Sequence, residues 1–279
     1  MQTDVKKKAR TNKRRKKSRD RRKGIYILPN LLTTGNLFAG FVSIVSTIDG
    51  QYEKAAIAIL ISWIFDILDG KVARLSQSAS RFGIEYDSLA DLVAFGVAPS
   101  ILIYLWALKP LGRTGWLAAF VFMACGALRL ARFNVQASTE AKHFFTGLPI
   151  PGAAGFIATI TLFLYPKVPN PGVTFSWVLL CLTFIIGLLM VSNIKYSAFK
   201  ELDFVKARPV PVILAFVLIL VTVAAKPRLM LFAILTAYVL SGPSFHITNL
   251  FKYRQIGRDN SSASDQLNEN EHIAEREAK

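Results

Sequence analysis

Between Asp66 and Asp91 the chain reads DILDGKVARLSQSASRFGIEYDSLAD, which sets four carboxylates in or against segments otherwise apolar enough to cross a bilayer. No other feature limits the fold as tightly. A carboxylate at the centre of a membrane helix costs roughly 2.5 to 3.5 kcal/mol on insertion scales, and neighbouring carboxylates also repel one another, so the cluster needs compensation built into the fold. Asp66 and Asp69 are three residues apart and are followed by Gly70 and Ala73, so a helix presents these carboxylates and small residues as one stripe. Asp87 and Asp91 are four apart and share a face of the next helix. The polar run Ser76 to Ser80, with Gly83, supplies the turn between them. This pattern predicts antiparallel neighbouring helices that bring both acidic pairs together.

A cation is the natural compensation. Oxygen-only ligands on two rigid helices suit Mg2+ or Mn2+, and such a shared cluster has room for two ions. Other readings compete: individual aspartates can cap helices or pair with Lys71, Arg74 and Arg81, and the cluster can serve as a proton or cation relay in a transporter.

The chain has 279 residues, 52% of them hydrophobic, with a mean hydropathy of +0.38 and a net charge of +16. That combination describes a membrane protein with basic surfaces rather than a soluble nucleic-acid binder. The charge is concentrated in Lys6 to Lys23, which is mostly Lys and Arg without aromatic residues between them. Such a run gives a positive-inside signal and attraction to anionic membrane lipids, while a ribosome or nucleic acid is a further partner open to any flexible polycation. The arm is too basic for a secretory leader and no small-residue cleavage site follows it, so an uncleaved chain is expected. Cys125 and Cys181 lie in apolar runs and read as small buried residues rather than a disulfide. His143, His246 and His272 have no metal-ligand spacing, and neither a phosphate-binding glycine loop nor a nucleophile elbow is present. Any chemistry must therefore come from the acidic cluster.

An all-α, polytopic transmembrane helix bundle is the fold this pattern predicts. Eight spans are expected, near residues 27–48, 54–73, 84–107, 116–134, 148–166, 174–193, 210–226 and 229–245. With the basic arm on the cytosolic side, the connections at 74–83, 133–147 and 194–209 also face the cytosol and carry the greater share of Lys and Arg. The acidic cluster then lies at the cytosolic end of the bundle, whereas transporter sites more commonly lie near the midplane between broken helices. Three segments result: a basic cytosolic arm at 1–24, a transmembrane domain with the acidic site at 25–245, and a polar cytosolic tail at 246–279.

Polar residues elsewhere in the spans mark further candidates. Asn30, Thr33, Thr34 and Asn36 lie in the first span, where the threonines can bond back to their own helix while the asparagines need partners. Arg129, Arg132 and Asn134 end the fourth span. Cations at a helix C-terminus contribute about 0.3 to 1 kcal/mol each and anchor it at the headgroups, but two arginines beside the acidic site can also grip a substrate carboxylate or diphosphate. Gly147 to Gly152, reading GLPIPG, breaks regular helix where the next span begins.

The spacing Asp66, Asp69-Gly70, Ala73-Arg74, Gly83, Asp87, Asp91 resembles, at every position, the signature of the CDP-alcohol phosphatidyltransferases, integral membrane enzymes of phospholipid synthesis. The segments PNLLTTGNLFAGF from Pro29, and RLARFN and FTGLPIPGAAG between Arg129 and Gly155, look like those of bacterial members that use serine as acceptor. The resemblance implies the family's helical fold, a homodimer, and transfer of the phosphatidyl group of CDP-diacylglycerol to L-serine with release of CMP. It implies divalent metal, Mg2+ or Mn2+, at Asp66, Asp69, Asp87 and Asp91, with Asp91 also the catalytic base. Gly70 and Arg74 would meet the substrate, Thr33 and Asn36 would line the nucleotide site, and Arg129 and Arg132 would bind the acceptor or diphosphate. The same chemistry with glycerol phosphate or an inositol derivative remains the near alternative.

Overall fold

The computed structural model describes residues 28–75, 80–137, 145–196, 214 and 225–244. The basic arm, the polar tail and all but Leu214, Ala225 and Lys226 of the seventh expected span lie outside the described residues. So do 76–79 in the turn after Asp69 and 138–144 in the connection after Ala137.

Helix α1 (Leu28–Ile48) has Pro29 in its first turn, where a missing N–H leaves no bond unmade. It ends in a turn where Gly50 takes a φ of +74°, a conformation glycine adopts without steric cost. The short connection reverses the chain into α2 (Tyr52–Leu75), and the two helices run antiparallel: Thr33 meets Asp69, while Asn36, further along α1, meets Ser62, further back along α2.

Ser80 caps α3 (Arg81–Asp91) by accepting the Gly83 N–H at 2.9 Å. The rod continues past Asp91 through a π-helical stretch at Leu92–Val97, α4 (Ala98–Ile103), a second π-helical stretch at Tyr104–Leu108 and a 3-10 turn at Lys109–Leu111. Proline accounts for both widened stretches. Pro99 and Pro110 have no N–H to donate and crowd the carbonyl four residues back, and the preceding amides reach further: Ala98 N–H bonds to Val93 O and Lys109 N–H to Tyr104 O.

The remaining helices are α5 (Arg113–Ala137), α6 (Ile150–Leu164), α7 (Val173–Val191) and α8 at 227–244. Helix α5 packs along α7, and α2 along α6. Alanine makes this possible: Ala55 and Ala56 of α2, Ala94 and Ala98 of the third rod, and Ala153 and Ala154 of α6 are fully buried. Small side chains let helices approach closely where lipid supplies little hydrophobic drive. Several buried hydroxyls return to their own helices, as in Thr159 to Gly155 O at 2.9 Å and Thr183 to Leu179 O at 2.7 Å. Outward-facing Phe38 and Phe41 on α1, and Phe184, Ile185 and Leu188 on α7, present the apolar surface a bilayer requires.

Among the described residues the fold is all-helical apart from one small ladder, which no sequence pattern signals. Phe145–Thr146 pairs antiparallel with Lys195–Tyr196, joining the segment before α6 to the segment after α7. Eight spans are not seen among the described residues, where 4 helices are long and apolar enough to cross a membrane: α1, the third rod, α5 and α7. The difference has physical causes: α2 carries Asp66, Asp69, Lys71 and Arg74 near its end, α6 has only 15 residues, and the seventh segment is outside the described residues. Cys125 is buried and Cys181 exposed, both as free thiols, so the expectation that both are buried fails for Cys181, which α7 turns outward.

Candidate active site

Asp66 and Asp69 occupy the last turns of α2, and Asp87 lies near the middle of α3. Each offers a carboxylate oxygen, and these oxygens all lie within 4.8 Å of one another. Asp69 is buried and the other two half-buried. The crowding requires a third element to hold it, and α1 supplies the donors. Thr33 donates to Asp69 Oδ2 at 2.7 Å, and Asn36 donates through Nδ2 to Asp91 Oδ1 at 2.9 Å. Ser62 in turn donates to Asn36 O at 2.9 Å and contacts Asn36 Oδ1. Asn36 and Ser62 are fully buried, so the Ser62–Asn36–Asp91 chain is held among packed helices.

Two glycines allow that approach. A Cβ on Gly40 would lie 2.7 Å from Ala94 Cα, so α1 and the third rod touch backbone to backbone about one turn beyond Asn36 and Asp91. A Cβ on Gly35 would meet the Phe65 ring at 3.0 Å, which sets the close contact between α1 and α2. Thr34 shares a 3.0 Å hydrogen bond with Tyr86 OH, adding another tie from α1 to α3.

Asp91 is buried and lies outside the group of Asp66, Asp69 and Asp87. Asp87 Oδ1 is buried and has no hydrogen-bond partner among the described residues. An orphaned carboxylate oxygen beside two more carboxylates lacks the donors that buried acceptors require. Hard divalent cations favour such an all-oxygen set, so these residues fit a metal ion. Gly70 is half-buried immediately after Asp69, while the side chain of Arg74 lies outside what is described.

The arginines of α5 part company. Arg129 is half-buried, its Nε has no partner among the described residues, and Asp91 and Tyr238 are its electrostatic neighbours. Arg132 instead donates through Nη2 to Asn193 Oδ1 at 2.9 Å. Asn134 Nδ2 donates to Ser88 Oγ at 2.9 Å, fastening the end of α5 beside Asp87. Gly147, at φ +82°, donates its N–H to Ile194 O at 2.8 Å, and Leu148 N–H bonds to Leu189 O at 3.0 Å. Thus the GLPIPG run and the end of α7 are joined next to the Arg132–Asn193 contact.

Ser62, Tyr86, Asn193 and Tyr238 entered the site without being picked out from the sequence. Ser62 carried a usable signal, a polar residue one helical turn before Asp66 in an apolar run. Asn193 and Tyr238 reach the site through tertiary packing and had no such local signal.

Fold and site together define a membrane-embedded helix bundle with a carboxylate centre suited to a divalent ion. The chain belongs to the CDP-alcohol phosphatidyltransferase family, whose model matches residues 26–189. It is 42% identical over 179 residues to the CDP-diacylglycerol--serine O-phosphatidyltransferase of Helicobacter pylori, spanning 63% of this chain and 74% of that one. It is 39% identical over 175 residues to the enzyme of that name from Bacillus subtilis, spanning 62% of this chain and 92% of the relative. The archaetidylserine synthase of Methanothermobacter thermautotrophicus is 38% identical over 172 residues, spanning 61% and 69%. Among solved structures, the phosphatidylinositol phosphate synthase of Mycobacterium tuberculosis with CDP-DAG bound shares 19% identity at a TM-score of 0.44, over 60% of this chain and 80% of that chain.

Proposed function

We propose that the protein transfers the phosphatidyl group of CDP-diacylglycerol to the hydroxyl of L-serine, giving phosphatidylserine and CMP. One observation carries this reading: Asp66, Asp69 and Asp87 converge, with an Asp87 oxygen that has no partner among the described residues, in a family member that is 42% identical to a serine-using relative. Asp66, Asp69 and Asp87 would hold Mg2+ or Mn2+, with Asp91 contributing to a second ion, and bound ions would neutralise the diphosphate and stabilise leaving CMP.

The protein groups divide the remaining work. Gly70 lets the diphosphate approach α2 because it has no side chain, and Arg74 meets the phosphates. Thr33 and Asn36 line the nucleotide side while fixing Asp69 and Asp91. Asp91 accepts the serine hydroxyl proton; the serine oxygen bonds to the phosphatidyl phosphorus, the bond to CMP breaks, and CMP leaves with that electron pair. Arg129, within electrostatic reach of Asp91 and with an Nε that has no partner among the described residues, binds the serine carboxylate, and Arg132 braces the rim through Asn193. The site faces the cytosol from the cytoplasmic membrane, in keeping with the basic arm and loops. The arm adds attraction to anionic lipid, and the assembly is a homodimer by family analogy.

CMP release by purified protein given CDP-diacylglycerol, Mg2+ or Mn2+ and a panel of alcohols tests the reading. Serine-dependent release, lost on chelation and restored by added ion, is expected. Release with glycerol phosphate or an inositol derivative but not serine overturns the acceptor, and release with no alcohol overturns the chemistry.

A further inference from the structure

Tyr238 lies on α8, beyond residues 26–189 that match the family model. Its position is nonetheless fixed against the site. A Cβ on Gly152, at the start of α6, would meet Tyr238 Cε1 at 3.0 Å, so the ring lies directly on the GLPIPG run. Two residues before Gly152, Ile150 points its Cδ1 to within 2.7 Å of where a Cβ on Gly126 would stand. Gly126 is one helical turn before Arg129 on α5, and the same Ile150 Cδ1 lies 3.9 Å from a Cβ built on Gly96 of the third rod. Gly152, Ile150, Gly126 and Gly96 therefore bring α8, α6, α5 and the third rod together about one turn of α5 before Arg129. Tyr238 and Arg129 lie within each other's electrostatic reach.

We propose that Tyr238 is a specificity-determining residue whose phenol hydroxyl donates a hydrogen bond to the acceptor carboxylate beside Arg129. This rests on the reading of Arg129 as the carboxylate's partner. A neutral phenol next to a guanidinium is suited to donate to an anion that the guanidinium also binds, and the two donors approach from different helices. The placement also separates tasks within the chain. The acidic chemistry belongs to the segment matched by the family model, whereas this acceptor contact comes from a helix outside it.

Tyr238→Phe tests the inference in the full-length protein in detergent micelles, because it removes the hydroxyl and keeps the ring. The expected result is a rise of about tenfold in KM for L-serine, with KM for CDP-diacylglycerol and the melting temperature unchanged. Gly152→Ala disturbs the same ring without deleting it and should raise the serine KM by a smaller factor, since its new methyl must displace Tyr238 Cε1. Arg129→Ala, with Arg129→Lys used if alanine prevents folding, separates the underlying reading from this one. An unchanged serine KM in the Arg129 variant overturns the carboxylate assignment itself. A raised serine KM there with an unchanged one in Tyr238→Phe overturns only the role of Tyr238. A Tyr238→Phe protein that loses kcat or melting temperature with both KM values unchanged makes Tyr238 a packing residue and overturns the proposal.

Discussion

Asp66, Asp69, Asp87 and Asp91 come from two consecutive helices, whereas Arg129, Asn193 and Tyr238 come from α5, the end of α7 and α8. The first group is locked by contacts that leave little freedom. The Ser80 cap fixes the start of α3, Thr33 and Asn36 grip two aspartates, and Gly40 lies against Ala94 at backbone distance. The second group is held by tertiary contacts between elements distant in sequence, including the two-residue ladder and the bond from Arg132 to Asn193. On the proposed roles, a site divided in this way would keep its phosphoryl chemistry fixed while the acceptor side is changed by substitutions in separate helices. Each half should therefore respond differently to mutation.

The largest effect should come from the acidic half. Asp87→Asn keeps the shape of the side chain but removes its charge, and turnover should fall on the order of a thousandfold or more, because electrostatic stabilisation of a transferring group is lost. Calorimetric titration with Mn2+ should show weakened binding in the same folded, membrane-inserted protein. Full activity in this variant would end the assignment of Asp66, Asp69 and Asp87 as a metal centre.

Arg129→Ala should rank next and act on a different constant. A charge-assisted hydrogen bond contributes about 1.5 to 3 kcal/mol, so the KM for serine should rise by roughly one to two orders of magnitude. The KM for CDP-diacylglycerol should move much less. If the bias runs the other way, Arg129 binds the diphosphate and belongs to the donor half, and the two halves are not separate.

Gly40→Ala probes the scaffold of the acidic half without touching a polar group. The new Cβ would lie 2.7 Å from Ala94 Cα, and backbone on the opposing helix cannot swing aside as a side chain can. Overpacking of this kind costs about 1 to 3 kcal/mol, so a lower melting temperature should accompany a loss of kcat as Asn36 is drawn away from Asp91. The same substitution at Gly172, where nothing lies within 4 Å of an added Cβ, should leave both quantities near wild type. Equal tolerance at the two positions would mean that the α1 contact does not hold the site together.

The same contrast explains what could be read in advance. Helical periodicity places Asp66 with Asp69 and Asp87 with Asp91, because residues three or four apart share a face whatever surrounds them. The helical class also followed from long apolar runs, since backbone polar groups must be satisfied within the bilayer. Thr33 and Asn36 could be singled out as polar residues in an apolar span, but their partners Asp69 and Asp91 depend on the angle at which α1 crosses the other helices. Nothing local to Tyr238 or Asn193 distinguishes them from other residues at helix surfaces or ends. The ladder at Phe145–Thr146 was equally hidden, because two-residue strands carry no alternation pattern. Eight spans are not confirmed among the described residues for another reason: the charges near the end of α2, including Asp66 and Asp69, lower its hydropathy.

The smallest expected effect belongs to Arg132, and it sharpens the comparison because Arg132 stands only three residues from Arg129. Both were candidates for the acceptor carboxylate on charge and spacing. In the structure Arg132 is already engaged, donating to Asn193 Oδ1 at 2.9 Å in an exposed position. Asn193 directly precedes Ile194, whose carbonyl receives the Gly147 N–H, so the contact fastens the end of α5 to the junction between the GLPIPG run and α7. A typical hydrogen bond of this kind contributes about 0.5 to 1.5 kcal/mol, which corresponds to a change of only a few fold in a rate or affinity. Arg132→Ala should accordingly lower the melting temperature slightly and raise the serine KM by a few fold at most. Asn193→Ala should reproduce both changes, and the double variant should be no worse than either single one, because each removes the same bond. Steady-state kinetics on the three proteins, with serine and CDP-diacylglycerol varied in turn, measures this directly. If Arg132→Ala impairs serine use as severely as Arg129→Ala while Asn193→Ala does nothing, Arg132 leaves Asn193 to meet the substrate and both arginines belong to the acceptor pocket.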